Sequence, residues 1–163
     1  MAKSVPLAII FFFLLCVWVV SFATKGAHLD TIYDHIQDYR DKYDEVYPAL
    51  EGCLAMDCIL FFFELIGMVL ALKPKGKLSK VIAAFILLSI IARLILGVIF
   101  LAGNSEAGRN IVEDYYDLPA DIRPDLPSST KTFVGVWIYE IIALCLGVTL
   151  SVIGGVLLIA QKE

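Results

Sequence analysis

The stretch VIAAFILLSIIARLILGVIFLAG, residues 81–103, decides the fold. Its 23 residues carry a single charge, Arg93. A helix rises about 1.5 Å per residue, and about 20 apolar residues cross the hydrocarbon core of a bilayer. Three more runs of this kind occur, over residues 5–23, 53–72 and 133–160. None alternates polar with apolar residues as barrel strands do. The chain has 163 residues, 60% of them hydrophobic, against roughly 45–50% in soluble domains. So short a chain holds too little polar sequence to wrap four buried apolar helices in water. The expectation is an all-α membrane protein: one domain, 1–163, built as a four-transmembrane-helix bundle.

The first run ends in Ser21-Phe22-Ala23, which resembles a signal-peptidase site, with Lys3 as a short basic flank. Its apolar stretch is longer than a signal core of about 7–15 residues, so it reads as a retained helix. Lysines set the orientation. The link between the second and third runs carries Lys73, Lys75, Lys77 and Lys80 and no acid. With Lys3 and Lys162 near the two ends, the positive-inside rule places the link and both termini in the cytoplasm. The connecting segments 24–52 and 104–132 are then outer loops, extracellular or lumenal, forming a small, partly helical region. Both are acidic, so the net charge of −4 averages a basic inner side and an acidic outer side. The membrane itself is expected to be the plasma membrane or an endomembrane.

In the first outer loop, Leu29, Ile32, Ile36, Tyr39, Tyr43, Val46 and Leu50 recur at steps of three and four, a helical face. Asp30, Asp34, Asp38, Asp41 and Glu45 form a parallel acidic stripe. Like charges four apart oppose helix formation slightly. The stripe reads as a solvated face, or as a surface for a basic partner or for cations. Pro48 and Gly52 are expected to end this element. In the second outer loop, residues 104–108 read as a turn and 109–117 as a short helix. Pro119, Pro124 and Pro127 then impose extended backbone up to Ser128-Ser129-Thr130.

Within the apolar runs stand Asp57, Glu64, Arg93 and Glu140. A charge deep in a membrane span costs roughly 2.5–3.5 kcal/mol on insertion scales, so each should be paired or used. Arginine's planar fork suits a carboxylate, and three acids against one base should leave at least one carboxyl without a cation. Residues 61–67 resemble residues 137–143 at an offset of 76, a weak internal repeat that would make Glu64 and Glu140 equivalents. The fourth run adds Gly147, Ser151 and Gly155, a ridge of small residues that permits close helix approach. If that ridge faced lipid, it would be a docking groove.

Chemistry-bearing motifs are sparse. Cys16, Cys58 and Cys145 read as small buried apolar residues, and Cys53 lies at the outer interface. Neither outer loop holds a pair, so no loop disulfide framework is expected. His28 and His35 read as solvated loop residues, and no metal-binding, phosphate-binding or nucleophile motif occurs. No enzyme, cofactor or metal is therefore expected, and nothing points to nucleic acid.

The very short N-terminus, the Lys75-Gly76-Lys77 link and the short charged end Gln161-Lys162-Glu163 resemble the layout of claudin and peripheral-myelin-protein tetraspans. The resemblance implies the topology of a four-helix bundle. That family's Trp and Gly-Leu-Trp pattern and its two loop cysteines do not occur in the first outer loop. The expected function is a non-enzymatic tetraspan subunit or scaffold. Its partners would be the lipid bilayer and another integral membrane protein or a second copy of itself. The alternative is a small proton- or cation-coupled carrier or channel working through intramembrane carboxylates.

Overall fold

The computed structural model describes the backbone of residues 4–35, 46–116 and 128–161 and the side chains of residues 4–29, 48–104 and 135–161. All described elements are helical. Helix α1 is Val5–His35, α2 is Val46–Leu72 and α3 is Gly76–Tyr116. The last helix is broken by one π-helical turn. Its first part, α4, is Ser128–Ile142, the π turn is Ala143–Val148, and α5 is Thr149–Ala160.

Four segments are long and apolar enough to cross a membrane: Val5–Leu29, Pro48–Leu72, Gly76–Asn104 and Gly135–Ala160. This is the make-up of an integral membrane helical bundle. Three of the spans are longer than the apolar runs that announce them, because helices extend past the hydrophobic stretch. The expected turn over 104–108 is absent, since α3 runs without interruption to Tyr116. Gly103 and Gly108 lower helix propensity but do not stop a helix already propagating from an apolar span. Pro48 and Gly52 do not end an element either; they lie near the start of α2. Proline is tolerated there because the first N–H groups of a helix have no intrahelical acceptor. Likewise Ser128-Ser129-Thr130 opens α4 rather than closing an extended loop.

The helices pack in cyclic order, α1 on α2, α2 on α3, α3 on α4 and α5, and these back on α1. Leu7, Phe11, Leu14 and Trp18 of α1 meet Leu60 and Leu70 of α2, Ala83, Ile86 and Ile90 of α3, and Leu158 of α5 in the main core. A smaller cluster of Ala49, Leu50, Cys53, Phe100 and Val136 closes the end from which the long connections leave, called here the loop end. At the opposite, turn end, the carbonyl of Ala71 accepts from the Ser4 amide at 3.0 Å and from Gln161 Nε2 at 3.3 Å. Ser4, just before α1, and Gln161, just after α5, are thereby tied to a carbonyl that the end of α2 leaves without an intrahelical donor.

The outer surface is apolar. Phe12, Phe13, Phe62, Leu88, Ile95 and Leu146 are each more than half exposed. In lipid that exposure costs nothing, and it leaves the polar side chains to face inward. Cys16, Cys58 and Cys145 lie on this surface rather than in the core. Cys53 is fully buried rather than interfacial.

Close approach depends on small residues. A Cβ on Gly67 would stand 3.0 Å from Phe11 Cζ, and one on Gly154 3.2 Å from the same ring. The Phe11 ring therefore fills a slot between α2 and α5 whose two walls are glycines. Gly67→Val should lower the unfolding midpoint in detergent, by about 1–3 kcal/mol of overpacking. Phe11→Leu on that background should recover part of the loss. Wild-type stability of Gly67→Val would show that the ring does not occupy this slot.

Candidate functional site

Each of the four spans turns a heptad-like seam inward, with steps of three and four. On α1 the seam is Leu7, Phe11, Leu14, Trp18, Ser21, Lys25 and His28, all buried. On α2 it runs Leu50, Cys53, Asp57, Leu60, Glu64 and Gly67. On α3 it includes Ile86, Ile90, Arg93, Gly97, Phe100 and Asn104, and on the last helix Val136, Glu140, Ala143, Gly147 and Ser151. Every buried ionisable side chain of the described spans lies on one of these seams, where the helices face one another and no lipid enters.

Asp57, Arg93 and Glu140 meet, and a fourth charge joins them. Lys25 of α1 is 2% exposed. Its Nζ lies 2.9 Å from Asp57 Oδ2 and 2.8 Å from Glu140 Oε2. Arg93 answers from the other side. Its Nε donates to Asp57 Oδ1 at 2.6 Å, while Nη1 and Nη2 donate to Glu140 Oε1 and Oε2 at 2.6 and 2.8 Å. The result is a closed ring of alternating sign with one member from each of α1, α2, α3 and α4. Each cation touches two carboxylates, and each carboxylate touches two cations. Two positive and two negative charges sum to zero.

Other side chains surround the ring. Ser21 Oγ donates to Asp57 Oδ2 at 2.9 Å and accepts from Lys25 Nζ. Cys53 Sγ stands 3.5 Å from Arg93 Nη1. The Arg93 guanidinium lies over the Trp18 ring, 5.8 Å from its centroid, within cation–π range. Gly97, one turn beyond Arg93, makes room for the fork. A Cβ there would stand 2.7 Å from both Arg93 Nη1 and Glu140 Oε1.

Glu64 is outside the ring. It sits seven residues along α2 from Asp57, about 10 Å nearer the turn end. Its Oε2 accepts from Trp18 Nε1 at 2.7 Å, and its Oε1 shares a hydrogen bond with the Ser151 hydroxyl. It is fully buried. Glu64 and Glu140 therefore have unlike surroundings despite their similar flanking sequences. Glu140 meets two cations, and Glu64 meets an indole and a hydroxyl.

The small-residue ridge faces inward. Gly147, in the π turn, is closed by Trp18, whose Cη2 would be 2.7 Å from a Cβ. Ser151 serves Glu64, and Gly155 is buried with a Cβ position 3.2 Å from Leu87 Cδ2. The ridge is thus no lipid-facing groove. A different groove opens between α1 and α2, with a cavity volume of about 290 Å³. Val19, Phe22, Ala23, Cys58 and Phe62 form its exposed rim, and Trp18, Phe61 and Asp57 line its inner side.

At the loop end, His28 is buried rather than solvated, with Nε2 3.2 Å from Asn104 Oδ1 and its ring edge-on to Phe100. Of the acidic stripe, Asp30 and Asp34 lie on the last turns of α1 with side chains outside the described residues. Asp38, Asp41 and Glu45 lie outside them altogether. Among the described residues, no three His, Cys, Asp or Glu side chains gather as a metal site would require.

Sequence reasoning missed Lys25, Ser21 and Trp18. Lys25 comes after the first apolar run and reads as a loop residue. The available signal was its spacing, four residues from Ser21 and seven from Trp18, which puts all three on one helical face. No family model, curated protein or solved structure matches the chain.

Removing one member of the ring leaves an uncompensated buried charge. Lys25→Met should destabilise the bundle by about 3–5 kcal/mol, measured by unfolding in detergent. Adding Asp57→Asn restores neutrality and should recover a substantial part of that loss. A Lys25→Met variant as stable as the wild type would exclude Lys25 as a ring member.

Proposed function

We propose that this protein is a non-enzymatic tetraspan subunit that associates laterally with a larger membrane protein complex. The observation that carries this reading is the ring. The only four buried charges that meet among the described residues are consumed by one another, one from each helix, in an arrangement that neutralises itself. Such a ring holds four helices in one register, and none of its own four charged groups is left over for chemistry on a substrate. What remains accessible to a partner within the membrane is the outer surface. The groove between α1 and α2 is a concavity on that surface. The occupant proposed for it is an apolar side chain from a transmembrane helix of another protein. In lipid, association of this kind rests on shape and van der Waals fit.

In this reading the Lys73–Lys75 turn and both termini lie in the cytoplasm, because basic residues concentrate there. The connections at the loop end, acidic in sequence, face the exterior or a lumen, where they offer a surface to a basic partner.

A second reading, a small proton- or cation-coupled carrier, is favoured by one observation. Glu64 is an intramembrane carboxyl with no cation beside it among the described residues. Glu140 is committed to Arg93 and Lys25, so a carrier would have to run through Glu64.

Purification from native membranes in mild detergent, without crosslinking, distinguishes the two. The subunit reading expects a stoichiometric complex well above the monomer in mass. Ala23→Trp, which fills the groove, should release the monomer with its own thermal midpoint unchanged. A wild-type monomer, or a complex indifferent to Ala23→Trp, would overturn that reading. Proton or cation flux in reconstituted vesicles that vanishes in Glu64→Gln would instead establish the carrier.

A further inference from the structure

The five buried carboxylates and long-chain cations of the described spans are Lys25, Asp57, Glu64, Arg93 and Glu140. If all were ionised they would sum to −1, and the ring accounts for zero of that. The excess charge is Glu64, and no described residue around it answers that charge. Trp18 on α1 contributes a neutral N–H, and Ser151 on α5 a neutral hydroxyl. Helix α5 carries no ionisable residue at all. Among the described residues, the buried charged groups of the other neighbouring helices are Lys25 on α1, Asp57 on α2, Arg93 on α3 and Glu140 on α4, and each is held by the ring.

We infer that Glu64 is a proton-binding site, holding its carboxyl as the neutral acid between Trp18 and Ser151. The geometry suits that form. Oε2 remains the acceptor for the indole N–H. Oε1 carries the proton and donates it to Ser151 Oγ, since a hydroxyl can accept as readily as it donates. The same heavy-atom contacts therefore serve without a charge in the interior. An ionised carboxylate here would keep the same two donors and lack any counter-ion in a low-dielectric setting, the arrangement that buried groups avoid by taking up a proton. The ligand of this site is the proton itself. A metal cation would need several oxygen ligands, and Glu64 is the one carboxylate here that the ring leaves unspent.

The site is joined to the ring by one side chain. Trp18 gives its N–H to Glu64 and its face to Arg93, at 5.8 Å. With Glu64 neutral, the Arg93 charge is divided between Asp57 and Glu140 alone. A negative Glu64 would compete for it through the indole. The inference does not depend on the lateral association proposed above, since it concerns an interior carboxyl and not the groove.

Infrared spectroscopy of the full chain in lipid nanodiscs at neutral pH tests it directly. The wild type should show the carbonyl stretch of a protonated carboxylic acid, and Glu64→Gln should lose that band completely. Because glutamine copies the neutral acid, accepting from Trp18 and donating to Ser151, its thermal midpoint should match the wild type. Ser151→Ala keeps the acid but removes its acceptor, so the band should persist and shift to higher frequency. This second variant keeps the test decisive if Glu64→Gln fails to fold. Treatment with dicyclohexylcarbodiimide, which attacks protonated carboxyls in apolar surroundings, gives an independent readout. Any adduct found by mass spectrometry should lie on Glu64 and not on Asp57 or Glu140. A wild type without the acid band, a band that survives Glu64→Gln, or adducts on the ring carboxylates would each overturn the inference.

Discussion

The bundle depends on the closed ring of Lys25, Asp57, Arg93 and Glu140. Hydrocarbon cannot solvate a charge, and each of these side chains alone would oppose insertion of its helix. Together they cancel, with each cation bridging two carboxylates at distances of 2.6 to 2.9 Å. The ring needs all four helices at one depth and in one rotation. An incomplete ring would be worse than none, because a lone buried charge costs more than a pair contributes. The constraint therefore acts as a test of correct assembly. The observed cyclic order brings α1 and α3 to opposite sides of a pair of carboxylates.

Such a ring demands that helices approach closely, and the small residues are placed accordingly. Gly97 leaves space for the guanidinium and the Glu140 carboxylate, and Gly147 leaves space for Trp18. Trp18 in turn holds Glu64 and lies beneath Arg93. The π turn falls at Ala143–Val148, between Glu140 in the ring and Ser151 at Glu64. A π turn widens the helix locally and shifts the angular phase of the residues beyond it. One helix thus presents both residues inward, at two different depths.

The four spans are legible in the sequence because a run of about 20 consecutive apolar residues matches the thickness of a bilayer core and little else in a short chain. Arg93 and Glu140 are legible as oddities within those runs, as is Asp57. Their grouping is only half legible. With Arg93 counted as the sole base, the acids are in excess by two, and the position of Lys25 after the apolar run suggests a loop. Lys25 belongs to the ring because α1 continues well past the hydrophobic stretch and a lysine stem can lie along apolar surface. Asn104 is obscured in the same way. It reads as a turn residue, yet α3 continues through it and places its amide on His28. In both cases hydropathy marks where the lipid ends and not where the helix stops.

Sequence alone determined the number of spans, their approximate limits and the presence of charges that must find partners, because these are set by hydrophobic length and by the cost of placing a charge in lipid. Which charges meet was decided only in three dimensions. Glu64 and Glu140 stand in similar local sequence, yet one faces two cations and the other an indole and a serine: Glu140 has the cations, Glu64 the neutral pair. That difference comes from residues on other helices, Lys25, Trp18 and Ser151, brought to them by the rotation of each helix about its axis. That rotation goes with the fit of facing surfaces, as where Gly147 meets Trp18 and Gly97 meets Arg93 and Glu140, a property of pairs of surfaces that no single segment contains.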